Sequence, residues 1–139
     1  MSDEPTLWPT VVALSGDAQI GSATARAARR AAGALAASRP TQPVVVEIDL
    51  ANVSARPEDL RRVVLGAEAI VVATPTHRGW PTPLLLDFLG GFSLGELRGV
   101  PATVLVTGEQ AGAAERKLVE YLEQLGADVT GERVAQAAA

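Results

Sequence analysis

A chain of 139 residues that is 47% hydrophobic and carries a formal net charge of -4 predicts a single compact domain over residues 1–139. The lack of Cys and the single His exclude a disulfide framework, a cysteine nucleophile and the usual thiolate or multi-imidazole metal sites. Its 12 basic residues are scattered and outnumbered by 16 acidic ones, so neither nucleic acid nor anionic lipid is an expected partner.

The N-terminal segment MSDEPTLWP lacks the charged-then-apolar pattern of a signal peptide. No stretch of the sequence reaches the length needed to cross a bilayer. We therefore expect a cytoplasmic protein with no membrane partner. Only the two ends, residues 1–8 and 135–139, are expected to fray.

Runs of β-branched residues alternate with helical patterns along the chain, which is typical of βαβ units on a parallel sheet. The predicted strands are 10–15, 44–50, 69–73, 103–107 and 128–134. The predicted helices are 22–38, 57–67, 82–92 and 111–125, with Gly126 directly after the last one. Five strands and four helices predict an α/β fold, a flavodoxin-like doubly wound sheet of order 2-1-3-4-5. Its ligand crevice is expected between the first and third strands.

The segment that leaves the first strand and opens the first helix is a candidate phosphate site. Gly16 and Gly21 allow the backbone to bend, while Ser22 and Thr24 supply hydroxyl groups at the helix N-terminus. The other candidate binding residues of this segment are Asp17, Gln19 and Ala23. The pattern lacks the third glycine of a dinucleotide fingerprint and the lysine of a P-loop. A simple turn with an N-cap at Ser22 explains the same residues, and both interpretations stay open.

A second candidate site follows the third strand, where Thr74-Pro75 is expected to stop it. Its candidate binding residues are Thr74, Pro75, Thr76, His77, Arg78, Gly79 and Trp80. Trp80 fits either a ligand contact or an anchor between subunits, and Arg78 fits either an anion contact or a solvated side chain. His77 has no Ser or Asp partner in a recognisable pattern, so we predict neither a hydrolase nor any catalytic side chain.

The helix predicted over 82–92 is apolar around most of its circumference. Its apolar side chains are Leu84, Leu85, Leu86, Phe88 and Leu89. At about 100° per residue these side chains cannot all face one sheet, which predicts a second subunit over the helix. In the alternative, the segment 90–94 folds back and covers it.

Residues 11–129 resemble the NAD(P)H-dependent FMN reductase family, and within it the flavin reductases that supply reduced FMN to two-component monooxygenases. The similarity is strongest over residues 69–108, in IVVATP and LRGVPATVLVTG. It implies FMN as cofactor, NAD(P)H as co-substrate, a homodimer or homotetramer and a monooxygenase partner. It also implies that Gly16, Ser22 and Thr24 bind the FMN phosphate, and that residues 74–82 lie along the isoalloxazine ring. Thr107 and Gly108 then form a third loop of the site.

Several positions depart from the family pattern. Asp17 and Gln19 stand where the family has Ser and Arg, and the other departures are His77 for Tyr, Pro83 for Gly, Leu86 for Lys and Glu109 for Gly. A carboxylate about 5 Å from a phosphate dianion is repelled by on the order of 6 kcal/mol at an effective dielectric of about 20, against roughly 1.7 kcal/mol in bulk water. The direction of the Asp17 side chain therefore decides how much FMN affinity survives.

These departures support two hypotheses. The first is an FMN reductase that binds FMN weakly enough to release it after reduction. The second is a flavodoxin-like binding or scaffold domain that has lost flavin and catalysis. An electron-carrying flavodoxin is disfavoured because the first loop lacks a Thr/Ser-rich phosphate pattern.

Overall fold

The computed structural model describes residues 8–129 and the backbone of residues 134–135. The strands are β1 (Thr10–Ser15), β2 (Val44–Asp49), β3 (Ala69–Pro75), β4 (Pro101–Thr107), β5 (Asp128–Val129) and β6 (Val134–Ala135). The helices are α1 (Ala23–Ala37), α2 (Pro57–Leu65), α3 (Pro83–Leu89) and α4 (Ala111–Gln124). Every strand pair is parallel and the order is β2-β1-β3-β4-β5, so the predicted flavodoxin-like α/β fold is confirmed.

Beyond β4, the described residues at the two ends of the strand predicted over 128–134 form β5 and β6. Both pair with β4, with Asp128 opposite Pro101 and Val134 opposite Leu105. Residues 130–133 lie outside the described part of the chain. Ala135, predicted to fray, pairs with Val106. The remaining predicted tail residues, 1–7 and 136–139, lie outside the described part of the chain.

Alternating side chains of the central strands pack into two cores, one on each face of the sheet. Val12 and Leu14 of β1 belong to the core that includes side chains of α2, α3 and α4. Val11 and Ala13 face the opposite core, which is built against Ala28, Ala32 and Ala36 of α1. Because alanine is small, this face of α1 lies close to the sheet, and its N-terminus is fixed beside the end of β1.

Two predicted boundaries are wrong in ways that affect the site. β3 continues through Thr74 and Pro75, which pair with Val106 and Thr107 of β4. Proline is tolerated there because it occupies the last position of the strand, where the ladder ends. The helix predicted over 82–92 is shorter: it begins after the N-cap Thr82 and ends at the C-cap Gly90.

The chain itself covers much of α3. Leu85, Phe88 and Leu89 are buried, and Phe92 packs edge-on against Phe88 with the ring centroids 5.9 Å apart. The segment after α3 therefore folds back, as the alternative prediction had it. Leu84 stays 36% exposed, so only a limited part of this helix is left for another subunit to cover. No helix within residues 8–129 is long and apolar enough to span a membrane.

Gly16 is where β1 leaves the sheet and meets α3. A Cβ at this position would lie 2.6 Å from Cβ of Leu85, a distance that requires backbone movement. We expect Gly16→Ala to lower the free energy of unfolding by about 1–3 kcal/mol, the usual cost of overpacking. Urea unfolding followed by circular dichroism measures it.

The matched control is Gly33→Ala in the interior of α1, where an added Cβ meets nothing within 4 Å. This variant should be more stable than the parent by about 0.5–1 kcal/mol because alanine is the better helix former. Equal effects of the two substitutions would contradict the close approach of β1 to α3.

Candidate functional site

Three loops meet where β1, β3 and β4 end: a first loop (residues 16–22), a second loop (76–82) and a third loop (108–110). The first two are joined directly, because Thr82 Oγ1 donates a hydrogen bond of 2.6 Å to the carbonyl oxygen of Gly16. The Thr82 amide in turn donates to Thr74 Oγ1 at 3.2 Å. The loops therefore form one continuous surface at the edge of the sheet where open α/β folds bind ligands.

The third loop is joined to the second through the end of β4. The Thr76 amide donates to the carbonyl oxygen of Thr107 at 2.9 Å. Gly108 has φ +103°, and a Cβ there would lie 2.7 Å from Thr76 Oγ1. On the α1 side, the hydroxyls of Thr24 and Thr107 are 3.3 Å apart. The structure thus brings these predicted site residues together.

Burial separates two roles among the predicted residues. Thr24 is 3% exposed and Thr74 is fully buried, so both hold the loops together and neither presents its side chain at the surface. Ser22 is the N-cap of α1, with Oγ accepting from the Ala25 amide at 3.0 Å. For Ser22 the capping interpretation is observed, although its hydroxyl proton is still available for donation.

Two carboxylates accept hydrogen bonds from backbone amides of the first loop. Asp17 Oδ1 accepts from the Gln19 amide at 2.9 Å, and Asp49 Oδ2 accepts from the Gly21 amide at 3.0 Å. The second oxygen of Asp49 accepts from the Ala51 amide at 3.1 Å. The Asp17 carboxylate thus points back towards the backbone of its own loop, a direction that the sequence alone left open.

The guanidinium group of Arg26 contacts the same loop, with Nη1 donating to the carbonyl oxygen of Gly21 at 2.7 Å. The sequence analysis selected neither Arg26 nor Asp49. The signal for Asp49 was its position at the end of β2, which the predicted strand order places beside the end of β1. Arg26 follows the predicted helix start by one turn, where side chains reach back over the loop.

The second loop contains a two-residue hairpin turn. His77 and Trp80 exchange backbone hydrogen bonds of 2.7 and 3.0 Å. Arg78 at φ 55° and Gly79 at φ 79° are both left-handed, as a type I′ turn requires. The turn presents the side chains of His77, Arg78 and Trp80 at the surface, with Trp80 52% exposed.

Lys117 of α4 fixes this turn from the side of the third loop. Its Nζ donates to the carbonyl oxygen of Gly79 at 2.9 Å and lies 4.1 Å from the centroid of the Trp80 ring. Gly79 has φ 79°, which favours glycine, and an added Cβ would lie 2.9 Å from Oε1 of the flexible Gln110 side chain, which would have to move. Lys117 is a further residue that the sequence analysis missed.

The site fits the two ends of FMN unequally. The half-exposed Trp80 ring, held in place by Lys117, provides a flat aromatic surface of the kind that contacts a planar heterocycle. A phosphate requires free donors, yet the amides of Gln19 and Gly21 already bind carboxylates. The ring end of a flavin therefore fits these residues, whereas the phosphate end meets two occupied amides and two carboxylates in the first loop.

Comparison with known proteins gives a family match and matches in fold. The family model described as NADPH-dependent FMN reductase matches residues 9–138. No curated protein matches the sequence. Among solved structures, an NADH:FMN oxidoreductase in its apo form is 24% identical with a TM-score of 0.75, over 93% of this chain and 73% of that one.

Two further structures show the same fold. An oxidoreductase from Corynebacterium diphtheriae is 20% identical with a TM-score of 0.79, over 94% of this chain and 82% of the other. A WrbA-like flavodoxin from Agrobacterium tumefaciens is 20% identical with a TM-score of 0.66, over 95% and 83% of the two chains. At these identities the structural matches establish the fold alone.

The contact between Lys117 and the second loop can be tested by Lys117→Met, which keeps most of the side-chain volume. Loss of a charged hydrogen bond and a cation–π contact should lower the free energy of unfolding by about 1–2 kcal/mol. In a Trp8→Phe background, the emission of Trp80 should also shift to longer wavelength as water reaches the ring.

Arg116→Met is the matched control, because it removes a neighbouring positive charge whose side chain is exposed. It should change the Trp80 emission little. A shift of the same size in both variants would show that net charge, and not the contact with the turn, governs the environment of Trp80.

Proposed function

This chain belongs to the NADPH-dependent FMN reductase family, and on that premise we propose that it transfers a hydride from NADH or NADPH to FMN at the site formed by the three loops. The observation that carries the proposal is the joining of all three loops at the carboxyl edge of β1, β3 and β4. That edge is where doubly wound sheets bind nucleotides.

The residues of the second loop are proposed to hold the isoalloxazine ring. The hairpin turn is fixed by its own backbone bonds and by Lys117, so it presents Trp80 in a defined position before any ligand binds. Preorganisation of this kind reduces the entropy cost of binding. His77 is proposed to contribute its ring edge, and Arg78 a positive charge, at the same face.

No side chain of this site is proposed to act as an acid or base. Within residues 8–129 the structure records no hydrogen bond between the His77 ring and a carboxylate. A flavin supplies the hydride chemistry itself when it is bound. The chain's contribution is to orient the two rings and to exclude water from them.

Further parts of the proposal come from the family resemblance. We propose that reduced FMN is passed to a monooxygenase partner, that the enzyme acts in the cytoplasm and that it forms a homodimer or homotetramer. The exposed side chains of Trp80 and Leu84 support an interface near the site. A scaffold domain without flavin is the second candidate, favoured by the two carboxylates that occupy the first loop.

Fluorescence titration with FMN tests the proposal directly. In the Trp8→Phe variant, whose remaining tryptophan is Trp80, saturating FMN should quench most of the emission because the ring lies at the site. Trp8 precedes β1 at the amino edge of the sheet, about 20 Å from the loops at the usual rise of a six-residue strand. In Trp80→Phe the quenching should therefore be much weaker.

A parallel assay follows the loss of nicotinamide absorbance when NADH or NADPH is mixed with FMN and the protein. Turnover together with selective quenching of Trp80 supports the reductase. Equal quenching of both tryptophans would place the flavin elsewhere, and absence of both quenching and turnover would favour the scaffold domain.

Light scattering coupled to size exclusion tests the assembly. At micromolar concentration we expect a mass at least twice the 14.4 kDa of one chain. Leu84→Glu, which places a charge on the exposed face of α3, should shift the population towards monomer. A monomer in the parent protein would show that self-coverage of α3 by residues 90–94 is sufficient.

A further inference from the structure

The first loop carries an unusual charge arrangement for a site that is expected to receive a dianion. Two carboxylates, Asp17 and Asp49, contact its amides, while Arg26 is the cationic group recorded on it among the described residues. Each of the two carboxylates accepts a hydrogen bond from a backbone N–H of the loop, the same kind of bond that a phosphate oxygen accepts in a loop of this type. The chain therefore satisfies these donors with its own anions.

We infer that this site selects the flavin by its ring and not by its phosphate, and that it accepts riboflavin, a flavin without phosphate, about as well as FMN. The inference rests on the proposed function and specifies its substrate class. To bind the FMN phosphate through the amides of Gln19 and Gly21, the loop would have to release Asp17 and Asp49. A phosphate bound through other amides of the loop would bring two more negative charges beside these carboxylates. A ribityl chain that ends in a neutral hydroxyl needs neither change.

The geometry of Asp49 makes this arrangement more than a local turn. Asp49 lies at the end of β2, and its two oxygens bind the amides of Gly21 and Ala51. It therefore ties the first loop to the neighbouring strand through a contact between distant parts of the chain. Displacement by phosphate would break both bonds, whereas a neutral ligand leaves them in place.

The ring end of the site does not depend on the first loop in this way. The turn that carries Trp80 is held by its own backbone bonds and by Lys117. Contacts with the isoalloxazine are therefore available to FMN and to riboflavin alike. The dissociation constants of FMN and riboflavin should therefore differ only through the phosphate. Their ratio measures how much the first loop favours or disfavours that phosphate.

The test is a pair of titrations of the full chain with FMN and with riboflavin, followed by Trp80 fluorescence and by calorimetry. The expected dissociation constants agree within about threefold. One charge-assisted hydrogen bond to phosphate would already favour FMN by roughly tenfold or more. A tenfold preference for FMN would overturn the inference and leave the reductase intact, whereas failure of both flavins to bind would overturn the inference together with the proposed function.

Asp17→Asn tests the cause, because asparagine keeps an oxygen that can accept the Gln19 amide but removes the charge. FMN should then bind about three- to tenfold more tightly, with riboflavin changed less than twofold. The double variant Asp17→Ser, Gln19→Arg restores the family's residues and should tighten FMN binding by about 30-fold or more. Asp128→Asn, at the start of β5, controls for net charge and should change neither affinity.

Equal tightening of riboflavin and FMN in Asp17→Asn would contradict the inference, since it would show that the carboxylate acts on a part that both ligands share. Urea unfolding of each variant shows whether its fold is intact. The isosteric Asp17→Asn keeps the loop's turn, so its result remains interpretable even if the double variant unfolds.

Discussion

The hydroxyl of Thr82 is the contact on which the arrangement of the site depends. It donates to the carbonyl oxygen of Gly16 at 2.6 Å while accepting from the Leu85 amide at 3.2 Å. One side chain thus caps α3 and joins the loops that follow β1 and β3. Gly16 also packs on Leu85 without room for a Cβ. The Thr82–Gly16 hydrogen bond and this apolar contact therefore both hold the end of β1 close to α3.

This constraint explains why the two halves of the site are unequally adaptable. The second loop is attached at Thr82, at the Thr76 amide and at Gly79, so its backbone is fixed over its whole length. The first loop is attached at Gly16, and beyond that it is held by Asp17, Asp49 and Arg26. A rigid aromatic surface beside a loop whose amides bind the chain's own carboxylates suits the proposed reductase, which would release its flavin after each reduction.

The fold could be predicted from the sequence because its signals are local. Alternating β-branched runs and helices identify the elements, and the right-handed crossover rule then leaves few topologies. The two errors have opposite causes. At Thr74-Pro75 long-range pairing overrides a local stop signal, because Pro75 pairs with Thr107 and is the last residue of β3. At Gly90 a local stop signal holds, and α3 ends there although the apolar Phe92 follows.

The site was only partly predictable for the same reason. The loops at residues 16–24 and 74–80 follow from strand ends, but the side chains that define their chemistry come from elsewhere. Asp49 accepts a hydrogen bond from the Gly21 amide, 28 residues away in the sequence. Lys117 donates to the carbonyl oxygen of Gly79, 38 residues away. Asp17 could be identified as decisive from the sequence, whereas the direction of its carboxylate required the folded loop.

The two edges of the sheet differ in how they can meet other molecules. Among the described residues, the edge beyond β4 consists of the two-residue strands β5 and β6, and segments of that length are too short to act as templates for strand addition. The opposite edge, β2, is six residues long and begins with a half-exposed Val44. Glu47 on that strand, 3.6 Å from Arg29, places a charge on this edge, which is a feature by which sheets resist pairing with a second edge and aggregation.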